Sequence, residues 1–332
     1  MITCAIVGAT GLVGSTFLKV LEEKKLNIDK YYLFASSNSK GKKIIFMDNE
    51  YVVEELTHEV PTRGFTYALF SAGASVSKEY AKEFTNNGTI VIDNSSAFRM
   101  DEDVPLIVPE VNFDDINNAK LIANPNCSTI QAVLPLSVIN ELYGLKRVMY
   151  STYQAVSGAG KKGIDDLIQT SYGFKESKFP HKIYNNCIPQ IDTFEADGYT
   201  KEEHKMINET RKILKLPLLP VTATCVRVPV MNSHSESINV ETLNPINIDE
   251  LKQKLSIKDG IVLLDDTRFN IYPLNAFANG KDEVFVGRVR KDNSYNNAIN
   301  FWCVADNIRK GAASNAVQIL EKLLEKTPGL FT

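Results

Sequence analysis

Cys127 stands where the sequence changes from strand to helix. Lys120-Leu121-Ile122-Ala123 reads as a buried strand, and Ile130-Gln131-Ala132-Val133-Leu134-Pro135-Leu136 begins a buried helix with a proline at 135. A side chain at that junction faces the free N–H groups of a helix start, which carry partial positive charge. Such a place favours the thiolate, the nucleophilic form of cysteine. The same donors suit the oxyanion that forms when a thiolate adds to a carbonyl. Position alone does not decide the matter, because most free cysteines serve as small buried hydrophobes.

A second chemistry is written at the start of the chain. The apolar run Ile2–Val7 leads into Gly8-Ala9-Thr10-Gly11-Leu12-Val13-Gly14, and Val13, Phe17, Leu18 and Leu21 then follow at helical spacing. Strand, glycine-rich turn and helix open a nucleotide-binding unit, in which backbone comes close to a pyrophosphate at the helix start. After the next strand, Tyr31–Ala35, an NAD site usually has an acid for the ribose hydroxyl. Here the chain has Ser36-Ser37-Asn38-Ser39-Lys40-Gly41-Lys42-Lys43. Those groups donate to a 2′-phosphate, which favours NADP. The strand Tyr67–Ser71 enters Ala72-Gly73-Ala74, where small residues leave room beside the backbone, and Ser77 is a candidate helix cap.

Other elements must position these residues. Further strands are predicted at Thr89–Asp93 and Leu106–Val111, with Arg99 just after the first of them. Strands alternating with helices predict a parallel sheet with ligands at strand C-termini. Beyond the Cys127 helix the pattern changes. Lys146–Val156 reads as a long strand holding Gln154 and ending in a second glycine-rich turn, Ser157–Gly163. Residues 170–200 form an irregular excursion and a candidate subunit contact, and Glu202–Leu214 reads as a helix. Val221–Val230 and Glu236–Thr242 read as antiparallel strands, and Glu283–Arg290 continues that sheet. A last helix over about Asn307–Glu325 is expected to pack back on the first domain. The fold class is therefore α/β. A Rossmann-like doubly wound parallel sheet covers 1–126 and 307–332, and an α+β domain with a largely antiparallel sheet covers 127–306.

Composition narrows the partners. The 332 residues carry a net charge of −3, which gives no reason to expect nucleic acid. No run of 18 apolar residues supports a membrane span. The five cysteines, Cys4, Cys127, Cys187, Cys225 and Cys303, form no C-x-x-C pair, which suits a reducing compartment, with the cytoplasm expected. No metal-binding pattern is read. His58, His181 and His204 stand in polar contexts and are expected at the surface.

Taken together, GATGLVG (8–14), SAGAS (71–75), PNCST (125–129), STYQAVSGAG (151–160), CVRVPVMNSHSES (225–237) and DNIRKGAA (306–313) resemble the bacterial aspartate-β-semialdehyde dehydrogenases. The segments span nearly the whole chain in the family's order. The resemblance implies phosphate-dependent, reversible oxidation of L-aspartate 4-semialdehyde to L-4-aspartyl phosphate with NADP, in lysine, threonine and methionine biosynthesis. Cys127 would form an acyl-thioester, His234 would exchange protons, and Gln154 would orient substrate. Arg227 would bind the α-carboxylate, Glu202 the ammonium, and Arg99 and Lys205 the phosphate. Gly8, Thr10, Gly11, Leu12, Val13, Ser36, Ser37, Asn38, Ser71, Gly73, Ser157, Gly158 and Asn307 would line the cofactor. Asn38 departs from the family, which often has arginine there; this leaves dual NAD/NADP use as the alternative, with Lys40 or Lys42 as the candidates to compensate. The resemblance also implies a homodimer, with a tetramer as the alternative, and a catalytic and dimerisation role for the second domain. The nearest competing reading is another acyl-phosphate reductase, such as N-acetyl-γ-glutamyl-phosphate reductase or a glyceraldehyde-phosphate dehydrogenase. A Cys–His hydrolase or transferase and a non-enzymatic dinucleotide sensor are more remote, since the first leaves the glycine turns and the second leaves Cys127 and His234 without a task.

Overall fold

The structure, a computed structural model, describes residues 1–176 and 178–326. Residues 327–332, part of the expected first domain, lie outside the described residues. The chain divides into two compact units, one made of Met1–Pro125 with the segment that begins at Ala312, the other of Asn126–Gly311. Among the described residues no helix is long and apolar enough to cross a membrane.

The first unit is built on strands β1 (Thr3–Val7), β2 (Lys30–Ala35), β3 (Lys43–Phe46), β4 (Asn49–Val52), β5 (Glu54–Glu55), β6 (Tyr67–Phe70), β7 (Ile90–Asp93) and β8 (Leu121–Ala123). Six of them form a parallel sheet in the order β5-β2-β1-β6-β7-β8, while β3 and β4 make a separate hairpin. Both faces of this sheet are covered, so its central strands read as unbroken apolar runs. Ile6, Leu21, Leu33, Leu69 and Ile92 share one core with Ala316, Val317, Ile319 and Leu320 of the C-terminal helix Ser314–Lys326. That helix begins later than the sequence pattern suggests. A π-helical turn, Arg309–Ala313, precedes it and takes up the residues from 309.

Two local expectations are corrected. Leu106–Val111 is not a strand. Leu106 makes one isolated bridge to Ala123, and Pro109 starts a helical turn, Pro109–Asn112. Proline has no N–H for a ladder, and its fixed φ suits a first helical turn. Ser77 does not cap the helix Ala74–Asn86. Gly73 holds the cap position at φ +91°, and Ser77 lies one turn further in. Its hydroxyl instead donates to Asp93 Oδ1 at 2.7 Å.

The second unit opens with helix Cys127–Tyr143, which runs through Pro135 and is buried over most of its length. Its strands are β9 (Leu145–Gln154), β10 (Val221–Arg227), β11 (His234–Thr242), β12 (Ile261–Leu263), β13 (Val284–Lys291) and β14 (Ala298–Ala305). They form one mixed sheet in the order β10-β9-β11-β14-β13-β12. Val221–Arg227 and His234–Thr242 run antiparallel to each other as expected, but they are not neighbours: β9 lies between them, parallel to β10 and antiparallel to β11. Helices Lys161–Ser171 and Lys201–Ile213 separate β9 from β10 in sequence. They supply the length that a parallel crossover requires. The excursion after residue 171 has little regular structure, yet Ile183 and Ile188 turn inward against Val156 and Leu167.

Gly14 shows how tightly the first turn is packed. A Cβ at this position would lie 2.0 Å from the Gly8 carbonyl oxygen. Backbone would have to move, so Gly14→Ala is expected to destabilise the first unit by roughly 1–3 kcal/mol, as overpacking does. Thermal unfolding of the variant reads this, and an unchanged melting temperature would contradict the packing described.

Candidate active site

Four strand ends meet at one edge of the second unit's sheet. Gln154 ends β9 and lies in register with Arg227 at the end of β10. His234 opens β11 opposite Ala305, the last residue of β14, and Asp306 and Asn307 follow directly. Two helix starts face the same group, one carrying Cys127 and the other Glu202 and Lys205.

Asn126, which the sequence reading passed over, joins these helices. Its Oδ1 accepts from the Ser128 and Thr129 N–H groups at 3.0 and 3.4 Å, so it is the N-cap of the Cys127 helix. Its Nδ2 donates to Glu202 Oε1 at 2.9 Å, and its backbone N–H donates to Glu209 Oε2 at 2.6 Å. Asparagine directly before a buried helix is a capping signal that the sequence did carry. Glu202 and Glu209 are two turns apart and so share a helix face.

Glu202 is 4% exposed and collects donors. Gln154 Nε2 reaches its Oε1 at 3.3 Å, and Lys205 Nζ reaches its Oε2 at 3.1 Å. Burial pushes the carboxyl up, but Lys205, the Asn126 amide and Arg227 outweigh it and hold it below the usual carboxylate range. Lys205 also binds Asp192 Oδ2 at 2.9 Å. Burial would lower its ammonium, but Glu202 and Asp192 prevail and it is pushed up to about 12. Arg227 is 5% exposed, donates from Nη1 to the Ala155 carbonyl at 2.6 Å, and lies over the Phe179 ring at 5.7 Å. Its guanidinium is lowered by burial, against which negative charge on Glu202 and Cys127 acts.

His234 is fully buried. The Ala155 N–H donates to its Nδ1 at 3.0 Å, which leaves the ring proton on Nε2. Nε2 has no partner within the protein, and the space around it is kept open by Gly158. A Cβ on Gly158 would lie 2.9 Å from Arg227 Nη1 and 3.2 Å from His234 Nε2. Burial and then the Arg227 charge hold the imidazole well below its ordinary range, so it is neutral at pH 7. Ser157 and Asn307 exchange side-chain hydrogen bonds at 3.0 and 3.2 Å, and Ser233 N–H donates to Asn307 Oδ1 at 2.9 Å. Gly311, in the π-helical turn, touches Cys127 so closely that a Cβ there would lie 2.8 Å from Cys127 Cβ.

The second unit thus gathers Cys127, Gln154, Ser157, Gly158, Glu202, Lys205, Arg227, His234 and Asn307. The remaining expected residues belong to the first unit and are described within it. Gly8 has φ +85°, its N–H and that of Ala9 donate to the Phe34 carbonyl, and a Cβ on it would meet the Ser71 oxygen at 2.4 Å. β1 and β6 therefore run past each other with no room for a side chain. Gly11 caps helix Leu12–Lys24, Ser36 precedes a short 3₁₀ turn at Ser37–Ser39 that contains Asn38, and Gly73 caps the next helix. These three turns follow β1, β2 and β6, the neighbouring strands at which a parallel sheet of this order binds a dinucleotide. Thr10 Oγ1 donates to Ser39 Oγ at 3.2 Å, as does Lys42 Nζ at 3.3 Å, whereas Lys40 pairs with Glu55. Arg99 is 8% exposed and donates from Nη2 to the Asn94 carbonyl at 3.0 Å. His58 and His181 are exposed as expected, while His204 is half-buried beside Asp197.

Comparison with known proteins agrees with this division. The family description "Semialdehyde dehydrogenase, NAD binding domain" matches residues 3–119, and "Semialdehyde dehydrogenase, dimerisation domain" matches residues 136–310. The chain is similar to the aspartate-semialdehyde dehydrogenase of Aquifex aeolicus, with 52% identity over 97% of this chain and 98% of that protein. A crystal structure of aspartate semialdehyde dehydrogenase II from Vibrio cholerae, complexed with ASA, superposes with a TM-score of 0.94 at 45% identity, covering 98% of this chain and 99% of that one. The Candida albicans enzyme, crystallised with NADP, gives a TM-score of 0.77 at 26% identity, covering 97% of this chain and 98% of that one.

The neutral state of His234 has a measurable consequence. In the unfolded chain a histidine takes up a proton below about pH 6.5, while the buried imidazole does not. The unfolded state then binds more protons, so stability is lost as pH falls from about 7.5 to 5.5. His234→Gln is expected to flatten that slope by up to about tenfold in the unfolding equilibrium constant per pH unit. Denaturant unfolding at several pH values checks it, and identical slopes would contradict the neutral buried ring.

Proposed function

Because the chain belongs to the aspartate-semialdehyde dehydrogenase family, we propose that it interconverts L-aspartate 4-semialdehyde and L-4-aspartyl phosphate through a thioester on Cys127, with NADP and inorganic phosphate. The observation that carries the site assignment is the clustering of Cys127, His234, Arg227 and Glu202 at one sheet edge. A substrate that is both an ammonium and a carboxylate needs partners of both signs. Glu202 is held ionised for the first, and Arg227 offers a planar fork for the second. This pair favours a free amino acid over the N-acetylated substrate of the nearest alternative.

In the oxidative direction the Cys127 thiolate adds to the aldehyde carbon and gives a thiohemiacetal. Nε2–H of His234 donates to the oxygen that becomes anionic, which supports the acid half of its expected acid–base role. Gln154, fixed by Thr152 and Glu202, orients the substrate beside the sulfur. A nicotinamide cofactor, when bound, would supply the acceptor for the hydride. Phosphate, for which Lys205 is the ligand assigned in the second unit, then attacks the thioester carbon, and the Cys127 thiolate leaves; Arg99 is the residue of the first unit assigned to phosphate. The turns at Gly8–Val13, Ser36–Asn38 and Ser71–Gly73 fit a dinucleotide, since they follow the neighbouring parallel strands β1, β2 and β6 and two of them open helices capped by glycine. In the second unit Ser157, Gly158 and Asn307 are assigned to cofactor binding. Lys42, which reaches the Ser39 hydroxyl, takes the part of the arginine replaced by Asn38, and Lys40 does not.

The second unit also supports a homodimer. One face of its sheet exposes Met149 and Tyr153 at 38% and 39%, with Trp302 5.5 Å from Tyr153. A second copy would cover this apolar patch. Light scattering is expected to give the dimer mass and a Tyr153→Lys variant a lower one; a monomeric parent protein would contradict the assignment.

The deciding assay follows reduced cofactor formed from aspartate semialdehyde. Turnover is expected only with phosphate, faster with NADP than with NAD, and abolished in Cys127→Ala. Lys42→Ala should narrow the preference for NADP. Turnover without phosphate would point to an aldehyde dehydrogenase that hydrolyses its thioester, and no turnover by folded protein would overturn the substrate assignment.

A further inference from the structure

Glu236 takes no part in the reaction as derived, yet it sits beneath the site. It lies two residues along β11 from His234, on the same side of the sheet, and is fully buried. Neither of its carboxyl oxygens has a hydrogen-bond partner within the protein. Its register partner across β14 is Cys303, whose Sγ donates to the Gln131 carbonyl at 3.4 Å. Gln131 Nε2 in turn lies 3.4 Å from the His234 carbonyl and 3.5 Å from that of Cys303. Glu236 therefore faces the turn of helix Cys127–Tyr143 that carries Gln131.

That helix face has unmet acceptors and donors of its own. Gln131 Oε1 and, one turn earlier, Ser128 Oγ are buried without partners. Residues three apart share a helix face. Four buried oxygen atoms of three side chains are thus left unsatisfied between one helix turn and one strand. Buried polar atoms are nearly always bonded, and water, which both donates and accepts, meets such a need. We propose that Glu236, Ser128 and Gln131 enclose an internal water site, with Glu236 as its proton-carrying member, and that this site positions the Cys127 helix start.

The charges around Glu236 support this. Glu202 from helix Lys201–Ile213, Tyr150 from β9, Cys225 from β10 and Cys303 from β14 all act on it or feel its charge. Helix Cys127–Tyr143 carries no basic residue, so no cation compensates an ionised Glu236 from that side. Burial, and then the Glu202 carboxylate, push its carboxyl well above the usual range. As a neutral acid it both donates and accepts, and it leaves Glu202 as the site's anion. Its role is positioning, because it touches no reacting atom. That role rests on Cys127 as the nucleophile, whereas the water site does not.

Infrared spectra at pH 8 are expected to show the C=O band of a protonated carboxyl, lost in Glu236→Gln. Stability gives a second reading. The folded chain keeps this proton above about pH 4.3, where an unfolded glutamate loses it, so wild-type stability falls as pH rises. Glu236→Gln should therefore gain on wild type from pH 5 to 8, by up to about tenfold in the unfolding equilibrium constant per pH unit. A high-resolution crystal structure should place water on Glu236 and on Ser128 or Gln131. Cys127 alkylation by iodoacetamide should stay within about threefold in Glu236→Gln and slow by roughly tenfold or more in Glu236→Leu, which leaves Ser128 and Gln131 unsatisfied. No lost infrared band, or a flat stability difference, would overturn the protonated acid. A direct Glu236–Gln131 bond without water would overturn the site, and unchanged alkylation in both variants would overturn the positioning. Alkylation needs no substrate, so failure of the aspartate semialdehyde assay would strike the proposed reaction alone.

Discussion

A carboxylate removed from water governs the second unit. Glu202 is ionised although almost nothing of it reaches solvent. A buried charge persists only where donors surround it. Here three donors reach it, Asn126 before one helix, Lys205 one turn along another and Gln154 at the end of β9, and Arg227 at the end of β10 adds positive charge. Lys205, Gln154 and Arg227 are also residues that the proposed reaction needs held still. The demand of Glu202 for partners and the arrangement of the site are therefore one constraint.

The remaining charges are set so as not to disturb it. Arg227 and Lys205 are cationic beside Glu202. His234 and Glu236 are neutral for a shared reason, since burial penalises the charged form of either. His234 is further biased by the Arg227 cation and Glu236 by the Glu202 anion. Two titratable groups on one strand are thus driven to neutrality from opposite directions. One presents a ring N–H at the surface of the site, and the other a carboxyl O–H beneath it.

Glycine and backbone do comparable work where side chains would obstruct. Gly158 leaves His234 Nε2 and Arg227 Nη1 clear, and Gly311 lets the π-helical turn approach Cys127. In the first unit Gly8 and Gly14 allow β1, β6 and the first helix to close on one another. A π-turn is costly and uncommon, and it recurs at functional sites because it re-aims a helix without ending it. Here it brings backbone against the Cys127 helix.

Much of this was legible in the sequence. The glycine turn after β1, the parallel alternation, the junction at Cys127 and the face shared by Glu202 and Lys205 are local patterns, written within a few residues by period and propensity. The motifs around Cys127, Gln154, Arg227 and His234 also carried the family. What failed was long-range or competitive. Leu106–Val111 had strand-like residues, but Pro109 denied it a ladder. Val221–Arg227 was a strand as read, but that β9 is its neighbour was not written locally. Lys40 pairs with Glu55, 15 residues away, while Lys42 reaches Ser39, and no local pattern shows which partner each lysine finds. Charge states depended most on tertiary structure, because desolvation is a property of packing and not of residue type. Nothing in the sequence distinguishes the ionised Glu202 from the neutral Glu236. The first is met by Asn126, Gln154 and Lys205 and the second by no protein group, and only the folded chain decides which glutamate those donors reach.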